Sequence, residues 1–167
     1  MSSDGVVLEM NDPHQLVPAA ARDDVHLSQI GHSEVPRFAA LYRTIWAPLG
    51  GGGREAWTVA DWRSELAQPG TEAWIATLGG HNVGMAQIGW TGQGDAGFTV
   101  IGVIPSRQGE GIGGDLLTRL TRHLWEHPAP NGRATHRVWL WTLPDEHPHT
   151  IPNYLARGFQ RGPDLVG

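Results

Sequence analysis

A chain of 167 residues is long enough for one domain with a real core, and 40% hydrophobic with 17% charged residues is ordinary for a soluble globular protein. The formal charge of −5 argues against nucleic acid or an anionic membrane as the main partner, while an amine-bearing acceptor stays electrostatically compatible. No cysteine is present and all 12 basic residues are arginine, which excludes disulfides, thiolate nucleophiles, cysteine-held metals and Schiff-base lysines.

Residues 1–24 mix polar, acidic and small side chains without sustained periodicity and read as an N-terminal tail or loosely docked extension, with the domain proper over 25–167. Val25 to Ile30 alternates and suits a first strand. After Ser33, an expected N-cap, the positions Val35, Phe38, Leu41, Tyr42, Ile45 and Trp46 recur at three- and four-residue intervals along one helix face, which Pro48 and Gly50 to Gly53 end. Thr58 with Asp61 predicts a capping box for a second helix through Leu66, with Trp62 and Leu66 turned inward. The runs Trp74 to Leu78 and Val83 to Trp90 flank Gly79-Gly80-His81-Asn82 and predict a hairpin. Phe98 to Ile104 is an apolar strand in which Gly102 marks a bulge or a close backbone approach.

Ile112, Leu116, Leu117, Leu120 and Leu124 form the apolar stripe of the next helix, expected to end near His127-Pro128. Asp115 lies in its first turn and Arg119 and Arg122 later, the order the helix dipole favours. After a loop from Pro128 to Thr135, Val138 to Leu143 is apolar on both faces, as a buried central strand would be, and a short helix carries Tyr154. The order of strand, two helices, three strands, helix, strand and helix is α/β without repeats. No run is long and apolar enough to span a membrane and the first residues lack a basic or apolar leader, so the cytoplasm is the expected location.

The stretch Val103-Ile104-Pro105-Ser106-Arg107-Gln108-Gly109-Glu110-Gly111-Ile112-Gly113-Gly114 joins a strand to a helix through a glycine-rich turn. Such a turn brings several main-chain N–H groups together at the positive end of a helix dipole, which suits phosphate. A nucleoside-triphosphate loop would follow its last glycine with Lys and Ser or Thr, whereas Gly114 and Asp115 follow Gly113 here. A dinucleotide loop would space its glycines G-x-G-x-x-G, with an acid about 20 residues on. This chain has G-x-G-x-G, with Gly132 and Arg133 at that distance. What remains is Gln108-x-x-Gly111-x-Gly113. A second pattern lies in Pro152-Asn153-Tyr154-Leu155-Ala156-Arg157-Gly158-Phe159, with the tyrosine four residues before Gly-Phe.

Together the two patterns resemble the acetyl-coenzyme A loop and the tyrosine helix of the GNAT superfamily of N-acetyltransferases. The likeness runs over roughly Val25 to Phe159 in element order and rests mainly on Ile101 to Phe159. It implies an α/β, single-domain acyl-coenzyme A N-acyltransferase fold, with a mixed, mostly antiparallel central sheet and flanking helices. It implies acetyl-coenzyme A as the acyl donor and direct transfer to an amine in a ternary complex. The pantetheine arm would pair with the main chain at Ile101 and Val103, and the pyrophosphate would rest on amides of Gln108, Gly109, Glu110, Gly111, Ile112, Gly113 and Gly114. Arg107 is within reach of the nucleotide phosphates, Asn153 would bind a cofactor amide, and Tyr154 matches the family's general acid. A phenol with a reference pKa near about 10 is protonated at neutral pH and can donate.

No general base is assigned among Asp95, Glu34, Glu55 and His81, and ordered water can relay the proton. Asp145-Glu146-His147-Pro148-His149 has ligand-type side chains, but two prolines nearby and no defined third ligand elsewhere favour a polar turn, so no metal is expected. The family usually carries an Asn and an Ala upstream of the tyrosine where this chain has His147 and Thr150, which leaves cofactor contacts on that loop open. Acceptor specificity is expected from Tyr42, Trp46, Gly50 to Gly53 and Trp57, an aromatic setting that favours a small-molecule amine. The rival readings are a non-catalytic acyl-coenzyme A-binding module of the same fold, and an acyltransferase with another acyl group or acceptor. Only eight residues follow Phe159, where the family usually runs into a full closing strand. The edge is therefore expected to be partly open and covered by a partner subunit in a homodimer.

Overall fold

The computed structural model of the protein describes residues 5–142 and 150–162. Seven strands form one sheet: β1 (Val6–Met10), β2 (Val25–Gln29), β3 (Thr71–Leu78), β4 (His81–Trp90), β5 (Asp95–Val103), β6 (Arg137–Thr142) and β7 (Gln160–Arg161). Four helices accompany them: α1 (Val35–Trp46), α2 (Val59–Leu66), α3 (Ile112–Glu126) and α4 (Thr150–Ala156). The spatial order is β2-β3-β4-β5-β6-β1-β7, and every neighbouring pair is antiparallel except β5 with β6. This is the mixed, mostly antiparallel sheet that the sequence implies.

Two apolar clusters separate the layers. On one face the α1 side chains Val35, Phe38, Leu41, Tyr42, Ile45 and Trp46 meet Trp62 of α2 and Ile75, Met85 and Val100 of the sheet. On the other, Ile112, Leu116, Leu117, Leu120 and Leu124 of α3 pack with Ala76, Ile88, Phe98 and Leu140. The helical intervals read from the sequence are therefore the buried faces. The capping box of α2 forms as expected, with Thr58 N–H donating to Asp61 Oδ2 at 2.8 Å and Asp61 N–H to Thr58 Oγ1 at 3.1 Å. Ser33 caps nothing, because a 3-10 turn over His32–Glu34 precedes α1 and puts Glu34 at its N-cap.

The N-terminal segment departs furthest from expectation. Instead of a tail ending at residue 24, Val6–Met10 is a strand between β6 and β7, with Leu8 and Met10 fully buried. Glu9 on its other face accepts a hydrogen bond from Arg137 Nε at 2.8 Å, so the pairing joins positions 128 residues apart. No local pattern could announce a partner that distant. The outer edge of β1 is covered, among the described residues, by the two-residue β7 at Leu8↔Arg161 and Glu9↔Gln160, and the homodimer expected at that edge stays a proposal. No helix among the described residues is long and apolar enough to cross a membrane.

Candidate active site

The sheet opens where β5 leaves β6. Their pairing runs from Asp95↔Arg137 to Phe98↔Leu140 and stops, while β5 continues to Val103 along β4. A bulge sits at the same place: Ile88 pairs with Phe98 and Gln87 with Val100, leaving Thr99 as the extra residue. Of the two readings offered for Gly102, the bulge lies at Thr99 instead. Gly102 instead marks a close approach, since a Cβ there would come within 2.7 Å of the Trp46 ring and 2.9 Å of Ile45.

Two cavities flank this opening. The larger, about 300 Å³, lies between the end of β5, the glycine turn and α4. Ile101, Val103, Gln108, Gly109, Gly111, Gly113, Gly114, Asn153 and Tyr154 all face it, as does Arg107. Glu110 and Ile112, expected to contribute main-chain amides, are not on its lining. Ile112 is fully buried in the core under α3. The Glu110 carboxylate turns to Arg107 at 3.4 Å and its carbonyl accepts from Arg22, so only their main-chain amides could serve a ligand.

The turn's geometry follows from its glycines. Gly109 and Gly111 have φ of +83° and +84°, the left-handed region in which a side chain is strained. Gly111 is the N-cap of α3, and the first intrahelical bond is Asp115 N–H to Gly111 O at 3.2 Å. The amides just ahead of it therefore stand outside the helical ladder, at the positive end of a 15-residue helix. Gln108 steadies the turn by donating from Nε2 to the Val103 carbonyl at 3.2 Å.

The second motif owes its form to the N-terminal segment. Gly158 has φ of +99°, and a Cβ there would lie 1.9 Å from the Gln15 carbonyl oxygen. Val17 N–H donates to Arg157 O at 2.9 Å on the same path. Phe159 is buried beside Tyr154, which is 6% exposed.

The smaller cavity, about 180 Å³, is walled by Tyr42, Trp46, Gly52, Arg54, Trp141 and Phe98 to Ile101, and it shares Trp46, Ile101 and Tyr154 with the larger one. Tyr42 and Trp46 stack at 4.5 Å between centroids, and a side chain at Gly52 would strike both. Of the expected acceptor residues, Gly50, Gly51, Gly53 and Trp57 are not on its lining, and Trp57 packs on Trp62 at 4.9 Å. Sequence reasoning passed over Arg54, Thr99 and Trp141. Arg54 directly follows the glycine run expected at the acceptor site, and Trp141 sits in a run that reads as buried, whereas it is 47% exposed. Its face of β6 borders the opening rather than a helix.

Asp95, Glu34, Glu55 and His81 line neither cavity. Asp95 faces Arg137 at 3.6 Å, Glu34 faces Arg37 at 3.5 Å, and Glu55 accepts from Gly53 N–H at 2.9 Å. The run Asp145 to His149 lies outside the described residues. The displaced carboxyls lie away from both cavities. Burial pushes the Glu72 carboxyl up, but hydrogen bonds from His123 and Trp74 outweigh it and leave it below the usual range. Glu9 is lowered by hydrogen bonds from Asn11 and then Arg137.

A model of the Acetyltransferase (GNAT) family matches residues 38–159, well over half of the chain, and the chain belongs to that family. No curated protein matches it in sequence. Among solved structures, it is similar to a functionally unknown protein from Staphylococcus epidermidis, with a TM-score of 0.69 and 17% identity over 95% of this chain and 57% of that one. It is also similar to a GCN5-related N-acetyltransferase from Kribbella flavida, with a TM-score of 0.63 and 16% identity over 95% and 55% of the two chains. An aminoglycoside acetyltransferase from an uncultured soil metagenomic sample, in complex with trehalose, gives a TM-score of 0.68 and 17% identity over 87% and 94%. The chain spans little more than half the length of the first two.

Proposed function

We propose that this chain is an acetyl-coenzyme A-dependent N-acetyltransferase that acts on the amine of a small molecule by direct attack in a ternary complex. The observation that carries the reading is that the two cavities meet at Trp46, Ile101 and Tyr154. Direct transfer needs both substrates bound with reacting atoms about 3–3.5 Å apart, and adjoining cavities supply one place for that. The larger cavity fits the donor: left-handed glycines, amides outside the ladder and a helix N-terminus form a cradle for a pyrophosphate.

Bound there, acetyl-coenzyme A would supply a thioester carbonyl open to attack by an amine. The main chain at Ile101 and Val103 would align the pantetheine arm, and an N–H near Val103 would polarise the carbonyl. Amides from Gln108 through Gly109, Glu110, Gly111, Ile112 and Gly113 to Gly114 would hold the pyrophosphate, and Asn153 a cofactor amide. Tyr154, whose ring borders both cavities, would give its phenolic proton to the departing sulfur.

Calorimetry with acetyl-coenzyme A, followed by coenzyme A release against a panel of small amines, an aminoglycoside and a lysine peptide, tests the reading. Binding together with turnover of a small amine is the expected result. Binding without turnover across the panel would make the chain an acyl-coenzyme A-binding module.

A further inference from the structure

We propose that the acceptor taken by the smaller cavity is a ring-bearing amine that also carries an anionic group, an aromatic amino acid being the simplest member of the class, and that Arg54 selects it. This rests on the acetyltransferase reading and adds the chemistry of the acceptor.

Size comes first. A cavity of about 180 Å³ has room for a single ring with a short arm. Part of its wall is aromatic. Tyr42 and Trp46 lie nearly parallel at 20°, and Trp141, 47% exposed, borders it from β6. An aromatic ring laid against such surfaces gains contact area and a favourable edge or offset geometry.

Charge decides the rest. Arg54 is the one charged residue on the described lining, which holds no Asp or Glu, although the whole chain carries −5. Its guanidinium is fixed from behind: Nη1 donates to Gln87 Oε1 at 3.0 Å and Nη2 to Glu65 Oε2 at 3.2 Å, with Gln87 Nε2 donating to the same Glu65 oxygen at 3.1 Å. The Trp57 ring lies 4.2 Å from the guanidinium carbon. Glu65 and Gln87 do not line the cavity. Those two bonds use two of the five N–H donors that a guanidinium carries, and leave a pre-oriented cationic plane with donors to spare. A carboxylate beside the reactive amine is the group that the spare donors would hold, since the one acid paired with Arg54, Glu65, lies behind it and off the cavity lining.

The test is kcat/KM by coenzyme A release for tryptophan and phenylalanine against tryptamine and phenethylamine, with an aminoglycoside as the polycation. A charge-assisted pair predicts a preference of roughly ten- to hundredfold for the carboxylate-bearing member of each pair. The double variant Arg54→Gln/Glu65→Gln, which removes both charges and so leaves no orphan, should bring that ratio toward one while acetyl-coenzyme A affinity holds. Equal or better turnover of the decarboxylated amines by the unmodified protein overturns the proposal and leaves the acetyltransferase reading standing, whether or not the variant folds. A ratio unchanged in the folded variant overturns the role of Arg54. Acetyl-coenzyme A binding with no turnover of any acceptor overturns both readings together.

Discussion

Gly113 separates fold from donor binding within one position. It lies in the first turn of α3 with an ordinary helical φ, and a Cβ there would meet only Val103 Cγ2 within 4 Å, at 3.6 Å, an ordinary contact. Gly113→Ala should therefore stabilise the protein, because the unfolded chain loses freedom while the native backbone is unstrained. The gain is about 0.5–1 kcal/mol. For a domain of this size that is a rise of about 1–4 °C in Tm. The same position lines the larger cavity, so Gly113→Leu puts a branched side chain where the pyrophosphate cradle needs open space. Thermal melts and calorimetry on the two variants should diverge: a folded Gly113→Leu protein with acetyl-coenzyme A affinity reduced more than tenfold, and Gly113→Ala affected far less. Unchanged affinity in folded Gly113→Leu would refute the placement of the donor on this turn. The contrast with Gly111 is instructive. There φ is +84°, and any side chain adds about 1–2 kcal/mol of backbone strain, which mixes the two effects.

Two further outcomes follow from side chains already described. Tyr154→Phe keeps the buried ring and removes only the hydroxyl, so kcat should drop by about 10²–10⁴ with acetyl-coenzyme A affinity unchanged, and parallel loss of affinity would assign the phenol to binding instead. At the far end of α3, Glu72 accepts from His123 Nε2 at 2.8 Å and from Trp74 Nε1 at 3.0 Å, which holds its carboxyl below the usual carboxylate range. A lowered carboxyl contributes stability that is whole above its unfolded pKa and fades as pH falls through its folded one. Melts of the unmodified protein should thus lose more Tm between pH 5 and about pH 3 than those of Glu72→Gln, and matching slopes would refute the linkage.

How legible the chain was depends on the range of each interaction. The stripe from Ile112 to Leu124 and the Thr58–Asp61 cap are local, set within a turn or two of helix, and both came straight from spacing. The glycine turn was legible for a like reason, since a left-handed N-cap admits little besides glycine. β1 was not, because Val6–Met10 is too short to show a period and its partner lies at the other end of the chain. The Gly158 requirement was visible as a motif but not as a cause: the Gln15 carbonyl that a side chain would strike belongs to the segment read as a tail. Arg54 was missed because what singles it out is Gln87 and Glu65, brought beside it by β4 and α2.

The bulge at Thr99 ties these pieces to one another. Before it, Ala96 and Phe98 pack toward α3; after it, Val100 joins the α1 cluster while Ile101 and Val103 lean on the α3 side. A one-residue insertion thus exchanges the faces of the strand just where β5 parts from β6. Phe98 to Ile101 are thereby committed to the smaller cavity and Ile101 to Val103 to the larger, with Ile101 common to both. Gln87, opposite the bulge, is 4% exposed and bonds its amide to Arg54 and Glu65, so the same irregularity that opens the sheet also bears on the guanidinium. Under the proposed reading, donor alignment and acceptor selection are one structural decision, and neither could be re-registered by a residue without losing the other.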